Sequence, residues 1–135
     1  MFAVGHLALG YLAGKAASKL LNAKANVPLL FLASVLPDVD LLLGLEHRGP
    51  THSLIVISLF FLPVFIIYRK EAVPYFVAII QHSLLGDFLV GGGTQLLWPA
   101  SVHWYAVGIG MASLTNILME WAFFFASLII LVKTK

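Results

Sequence analysis

The sequence predicts an all-α membrane protein, a small polytopic helical bundle of about four to five transmembrane or half-spanning helices that make one integral membrane domain over residues 1–135. Three observations predict it. Only 10% of the residues are charged and 61% are hydrophobic, whereas a soluble globular domain carries about 25% charged residues and covers its surface with them. Hydropathy divides the chain into five apolar pieces, 2–21, 27–45, 53–68, 73–90 and 114–132, separated by polar or turn-forming stretches. Helices are the simplest form for all five, because an isolated strand leaves backbone N–H and C=O groups unpaired in lipid.

The first piece, "MFAVGHLALGYLAGKAASKLL", opens without the basic segment of a cleavable signal peptide and carries its lysines after the apolar run, so it is expected to be retained. Lys15 and Lys19 make it weak as a span, while its glycines and alanines suit close packing on neighbouring helices. The second piece follows the Asn26-Val27-Pro28 turn and contains Pro37, which predicts a kink or a broken helix. Gly49-Pro50 marks the turn into the third piece, and Arg69-Lys70-Glu71 the turn into the fourth. The stretch "GGGTQLLWPASVHWYAVG" is too polar and glycine-rich to span, and its Trp98, Trp104, Tyr105 and His103 fit an interfacial aromatic belt. No cysteine is present, which excludes disulfides, thiolate chemistry and cysteine-based zinc sites.

The net charge is +2, yet the basic residues sit at helix ends rather than on one face, which argues against a nucleic-acid partner. Lys15, Lys19 and Lys24 fall before the second piece, Arg69 and Lys70 between the third and fourth, and Lys133 and Lys135 after the last. These are seven of the eight Lys and Arg residues. If the five pieces alternate, all seven lie on one side, which the positive-inside rule makes cytoplasmic. The expected placement is multi-pass in the cell membrane, N-terminus outside and C-terminus in the cytoplasm.

That orientation gathers the remaining ionisable groups in one leaflet. His6 lies near the outer end of the first piece, Asp38 and Asp40 in the outward half of the second, His52 at the outer start of the third, and His82 and Asp87 in the outward half of the fourth. An ionisable residue inside a span is costly unless paired or functional, so the six make a candidate metal site. Imidazoles with carboxylates suit zinc foremost, or manganese or iron, whereas calcium and magnesium prefer all-oxygen surroundings. Six donors exceed the four of a tetrahedral site, so one ion with a carboxylate-rich surround and a two-ion centre both stay open. Singly, each residue has a plainer role. His6 can bond a carbonyl, and Asp38 can cap a following helix. His82 and Asp87, five apart, point roughly 140° away from each other on a straight helix, so they converge only if the helix distorts near Gly86.

The decapeptide "LEHRGPTHSL", residues 45–54, adds Arg48, the only outward cation. It either neutralises carboxylates or holds an anionic substrate group such as a phosphate. His47 is expected to protonate a leaving oxygen near neutral pH, and Thr51 to cap the third helix. Glu120, in the outer third of the last piece, can orient a ligand, act as a base or simply pack. Gly91-Gly92-Gly93 lacks the lysine and following helix of a phosphate-cradling loop.

"GHLALGYLAG", "LPDVDLLLG", "HRGPTHSL" and "QHSLLGDFLVGGGTQLLWP", in this order, resemble the YdjM-like family of membrane-bound metal-dependent hydrolases, from about residue 5 to 100. The resemblance implies a small integral membrane protein with a divalent-metal hydrolase site. Carried over by position, the metal ligands fall on His6, Asp38, Asp40, His52, His82 and Asp87, with His47 and Arg48 close by. The five-residue step from His82 to Asp87 departs from the four expected of that family.

Two functions follow as expectations. As an enzyme, the protein hydrolyses an ester or phosphodiester with water activated by the metal, Arg48 steadying the departing oxyanion. Because the site lies in one leaflet near the lipid interface, membrane lipid is the expected partner and a phosphate-bearing lipid the natural substrate; no basic, aromatic-interleaved surface favours a nucleotide. As a non-enzyme, it is a metal-binding membrane scaffold or a metal transporter. A transporter needs ligands near the midplane and a polar path to both faces, and inward halves such as "FLPVFIIY" and "FASLIILV" carry no charge.

Overall fold

The computed structural model describes residues 1–133; Lys135, one of the cations that set the expected orientation, lies outside them. Six α-helices form: α1 (Ala3–Leu20), α2 (Val27–Val35), α3 (Val39–Leu43), α4 (Leu54–Tyr68), α5 (Val73–Gln81) and α6 (Leu114–Lys133). Among the described residues, β-pairing is limited to two isolated bridges, Val90 with Ile109 and Thr94 with Tyr105. The all-α class holds.

Local chemistry sets the boundaries. The Asn26 side chain accepts from Leu29 N at 3.1 Å and Pro28 occupies the first turn, so α2 starts there. Pro37 ends it: Leu36–Asp38 tightens to a 3-10 turn, and α3 runs only to Leu43 before Gly44 closes it at φ +64°. The second apolar piece is therefore a broken helix, and Asp38 stands at the break. Its side chain makes no capping hydrogen bond to α3, so the capping role does not consume it. Ser53 caps α4 by accepting from Ile55 N and Val56 N. Thr51, expected as that cap, lies in the preceding 3-10 turn Pro50–His52 and is used elsewhere.

Helix α1 is the centre of the bundle and packs on α2, α5 and α6. Its small residues let the backbones close in: a methyl on Gly10 would lie 2.1 Å from Ser34 Cβ, and one on Gly14 2.6 Å from Leu30 Cδ2. Tyr11, Leu30, Ala33, Ile57, Ala78 and Ile79 form the apolar core. Large apolar side chains also cover the outside, among them Phe60 and Ile66 of α4 and Trp121 and Phe125 of α6. An apolar exterior around buried histidines and aspartates suits lipid as the surrounding solvent.

Of the described helices, α6 alone is long and apolar enough to cross a membrane unaided, with 20 residues at a mean hydropathy of 1.9. The other apolar pieces fall short for separate reasons. Pro37 divides the second, α4 at 15 residues rises only about 22 Å against a hydrocarbon core of about 30 Å, and the glycines, histidine and lysines of α1 dilute its hydropathy. Helix α5 passes into a six-residue π-helical stretch, His82–Asp87.

Candidate metal centre

The break after α2 delivers Asp38, the turn before α4 delivers His52, and the π-helical stretch delivers His82 and Asp87. One donor atom from each of these four lies within 4.8 Å of the others. His52 Nε2 is 3.5 Å from Asp38 Oδ1 and 3.2 Å from Asp87 Oδ2; His82 Nε2 is 3.2 Å from Asp38 Oδ1 and 3.4 Å from Asp87 Oδ2. A tetrahedral ion with bonds of about 2.0–2.1 Å to nitrogen and oxygen has donor–donor edges of about 3.3–3.4 Å. The four edges match that dimension.

The hydrogen bonds around the group point the same way. His82 Nδ1 lies 2.7 Å from the Ser34 carbonyl, which can only accept. Nδ1 therefore carries the hydrogen and Nε2 keeps its lone pair. Thr51 gives its hydroxyl hydrogen to Asp40 Oδ2 at 3.0 Å and faces His52 Nδ1 at 3.0 Å, so the His52 ring donates there and Nε2 is again free. His52 Nε2, His82 Nε2 and Asp87 Oδ2 are buried without a hydrogen-bond partner. Buried polar atoms are rarely left so, and a cation among them would satisfy all three.

Asp40 belongs to a second group with His47 and His52. It is fully buried and organises the decapeptide, accepting from Arg48 N at 3.0 Å, from Thr51 Oγ1 and from His47 Nδ1 at 3.1 Å. His6 is not in either group: its Nε2 lies 3.4 Å from Asp87 Oδ1, and its ring stacks on His82 at 3.6 Å. Arg48 Nη2 forms an ion pair with Asp87 Oδ1 at 3.0 Å. Glu120 is drawn to neither group. It accepts from Phe2 N at 2.8 Å and from Asn116 Nδ2 at 2.9 Å, tying the start of the chain to α6. In the turn between α3 and α4, burial works against charge on His52, and the Asp38 and Asp87 carboxylates facing its Nε2 outweigh it, holding the ring above its ordinary histidine value.

Supporting positions emerge that side-chain chemistry alone does not reveal. Gly86 allows the π-helical stretch to meet His6, since a methyl there would lie 2.2 Å from His6 Cε1. Gly91, at φ +97°, leaves room for the Arg48 guanidinium, whose Nη1 a methyl would approach to 2.4 Å. Gln95 N and Thr94 Oγ1 donate to the Arg48 carbonyl at 3.0 and 3.2 Å. The glycine run is thus the seat of an arginine.

Fold and site define a class: an all-helical protein, apolar outside, with buried histidine and aspartate groups able to bind a metal ion. The chain belongs to the YdjM inner membrane protein family, which matches it over residues 1–134. No curated protein and no solved structure matches it.

Proposed function

We propose that the protein is a multi-pass inner-membrane hydrolase that uses a divalent metal, zinc foremost with manganese or iron as alternatives, on an ester or phosphodiester of a phosphate-bearing lipid. The observation that carries this reading is the four-donor group with tetrahedral edges, flanked by one arginine and opening through Asp38, which is 26% exposed while His52, His82 and Asp87 are buried. When bound, the ion supplies a Lewis acid and an activated water. Asp38, His52, His82 and Asp87 hold it, and Asp40 orients His52 through Thr51. Arg48, already beside Asp87, turns toward the substrate's anionic group and the charge developing on it. His47 stands at the mouth, its side chain 38% exposed and its Nδ1 4.0 Å from Asp38 Oδ1, where it can give a proton to the leaving oxygen. Glu120 positions the chain start rather than the chemistry.

The helices make about four to five crossings and half-crossings in this reading, N-terminus outside and C-terminus in the cytoplasm, with the metal group in the outer leaflet. A C-terminal reporter active only on the outer face would overturn that orientation.

A metal-binding scaffold is the second reading, favoured by one observation: four protein donors complete a tetrahedral shell, and structural sites are closed. The test is shared. Metal-loaded protein is offered a panel of phospholipids and simpler phosphate esters, and release of headgroup or phosphate is measured alongside metal coordination by X-ray absorption. Turnover that requires the metal supports the enzyme; no turnover with a closed four-protein-ligand shell leaves the scaffold.

A further inference from the structure

Among the described residues, every cation except Arg48 stands at the end of the bundle remote from the metal group. His6, near the start of α1, faces Asp87, and Lys19 lies roughly 20 Å further along the same helix at about 1.5 Å per residue. Glu120 ties the start of α1 to α6 by accepting from Phe2 N at 2.8 Å. From that tie the two helices run the same way, with Ile130 and Leu131 packed on the core around Tyr11 and Leu30, so Lys15 and Lys19 of α1 share their end with Lys133 of α6. Two further pieces are bound there. Lys70 Nζ donates to the Asn22 carbonyl at 3.2 Å, Glu71 accepts from Lys24 N, and the Tyr75 hydroxyl accepts from Asn26 N at 2.8 Å. The loop after α1 and the turn before α5 are thereby one joint, and Lys19, Lys24, Arg69 and Lys70 gather around it.

Charge and setting select the partner. Lys15, Lys19, Lys24, Arg69, Lys70 and Lys133 share their end with a single acid, Glu71, whereas Asp38, Asp40, Glu46, Asp87 and Glu120 belong to the opposite end. The cations also sit where the apolar exterior stops: Leu20 and Leu21 lie just before Lys24, and Ile66, Ile67 and Tyr68 just before Arg69, all of them exposed. On a bundle surrounded by hydrocarbon, that boundary is the level of the lipid headgroups. A nucleic acid or an acidic protein would reach the cations only from beyond it and leave these apolar side chains uncovered. Arg69 adds a second observation. Its backbone takes φ +51° and ψ −123°, a conformation that suits glycine and strains a residue with a Cβ. A glycine would make this turn without strain; what the arginine adds is an exposed guanidinium, whose planar donors match a phosphate.

We propose that the joint between the α1–α2 loop and the α4–α5 turn is a platform for the phosphates of anionic membrane lipids, with Lys19, Lys24 and Arg69 as its contacts. Lys70 and Glu71 hold the platform together through Asn22 and Lys24. The platform is separate from the metal group, so a lipid held there anchors and orients the protein and is not the molecule that the hydrolase reading places at the metal.

The test uses the full chain in neutral detergent, titrated with dioleoyl phosphatidylglycerol or dioleoyl phosphatidylcholine, with binding read by native mass spectrometry. The unaltered protein should prefer phosphatidylglycerol at least tenfold, and added salt should erode the preference. When Lys19→Gln, Lys24→Gln and Arg69→Gly are combined the preference should vanish, since each cation near an anionic surface contributes about fivefold in affinity, while phosphatidylcholine binding and metal content stay unchanged. The glutamines leave the joint intact, because Lys24 enters it through its backbone N. Arg69→Gly alone carries a sign that a structural role would not produce: it should weaken phosphatidylglycerol about fivefold and raise the unfolding midpoint, because the strain leaves with the side chain. Equal affinity for the two lipids, a preference kept in the combined variant, displacement of the lipid by equimolar inorganic phosphate, or tighter binding of a DNA duplex or of polyglutamate than of phosphatidylglycerol would overturn the platform. So would a lowered midpoint with unchanged lipid affinity in Arg69→Gly, which would make the arginine a part of the turn alone.

Discussion

His82 Nε2 lies 3.4 Å from Asp87 Oδ2 although five residues separate them. The backbone causes the approach. In the π-helical stretch Phe88 N reaches back to Ser83 O, and such an i→i+5 turn returns residues five apart to one face, where a regular helix would splay them. The stretch is held from outside as well, by Gly86 against His6 and by the Ser34 carbonyl on His82 Nδ1.

Gly86→Ala should therefore strike both packing and donor geometry. The added methyl forces the His6 ring, and with it the stacked His82, to move, at an overpacking cost of about 1–3 kcal/mol. Thermal unfolding should show that loss and a metal titration at least a tenfold weaker affinity. Unaltered affinity would separate the π-helical turn from metal binding.

Chelation should lower the unfolding midpoint, and returning the ion should restore it. With free metal at about a thousand times its dissociation constant, the linkage stabilises by roughly 4 kcal/mol. His82→Ala and Asp87→Ala should each lose stoichiometric metal in elemental analysis and, with it, the response to chelator, since removing one partner leaves buried charge uncompensated. A wild-type response in both would mean that these residues do not hold the ion.

Metal affinity should fall as pH is lowered. The His52 ring must be neutral to bind, and its contacts with Asp38 and Asp87 raise its proton affinity, so protons compete from a higher pH than at an ordinary histidine. Each proton displaced changes the apparent affinity by about tenfold per pH unit below that value. Titrations between about pH 5 and 8 would reveal the slope; a flat profile is incompatible with imidazole ligands.

Arg48→Ala should retain the metal yet lower turnover of a phosphate-bearing lipid by on the order of 10². Arg48→Lys should recover part of it, keeping the charge but not the planar pair of donors. Equal turnover in all three proteins would confine Arg48 to neutralising Asp87.

Local rules expressed in the sequence carry most of this fold. The Asn26-Pro28 start, the break at Pro37 and the run of α6 follow from caps, proline and hydropathy acting on a few neighbours. The cap of α4 shows the resolution of such rules: Thr51 and Ser53 both offer a hydroxyl, and only the three-dimensional path of the decapeptide commits Thr51 to Asp40 and leaves Ser53 to the helix. At the site, Asp38, His52, His82 and Asp87 were legible because charge is costly in an apolar chain. Their division from His6 and Asp40 was not, because it depends on which nitrogen each ring presents, and the Ser34 carbonyl and Thr51 hydroxyl that decide this arrive from elsewhere in the bundle. The helices were legible only as apolar pieces, since hydropathy does not register where a helix breaks or changes pitch.

The four donors enter the chain over a long interval, Asp38 first and Asp87 last, with α6 still to follow. A ribosome feeding this protein into the bilayer thus releases two carboxylates and two imidazoles in instalments, and no intermediate ending before α5 can complete the cage. If the group binds a metal as proposed, its acquisition is consequently a late event in biogenesis. Chains stalled or truncated earlier present Asp38 and His52 without His82 and Asp87, the two partners that complete the group.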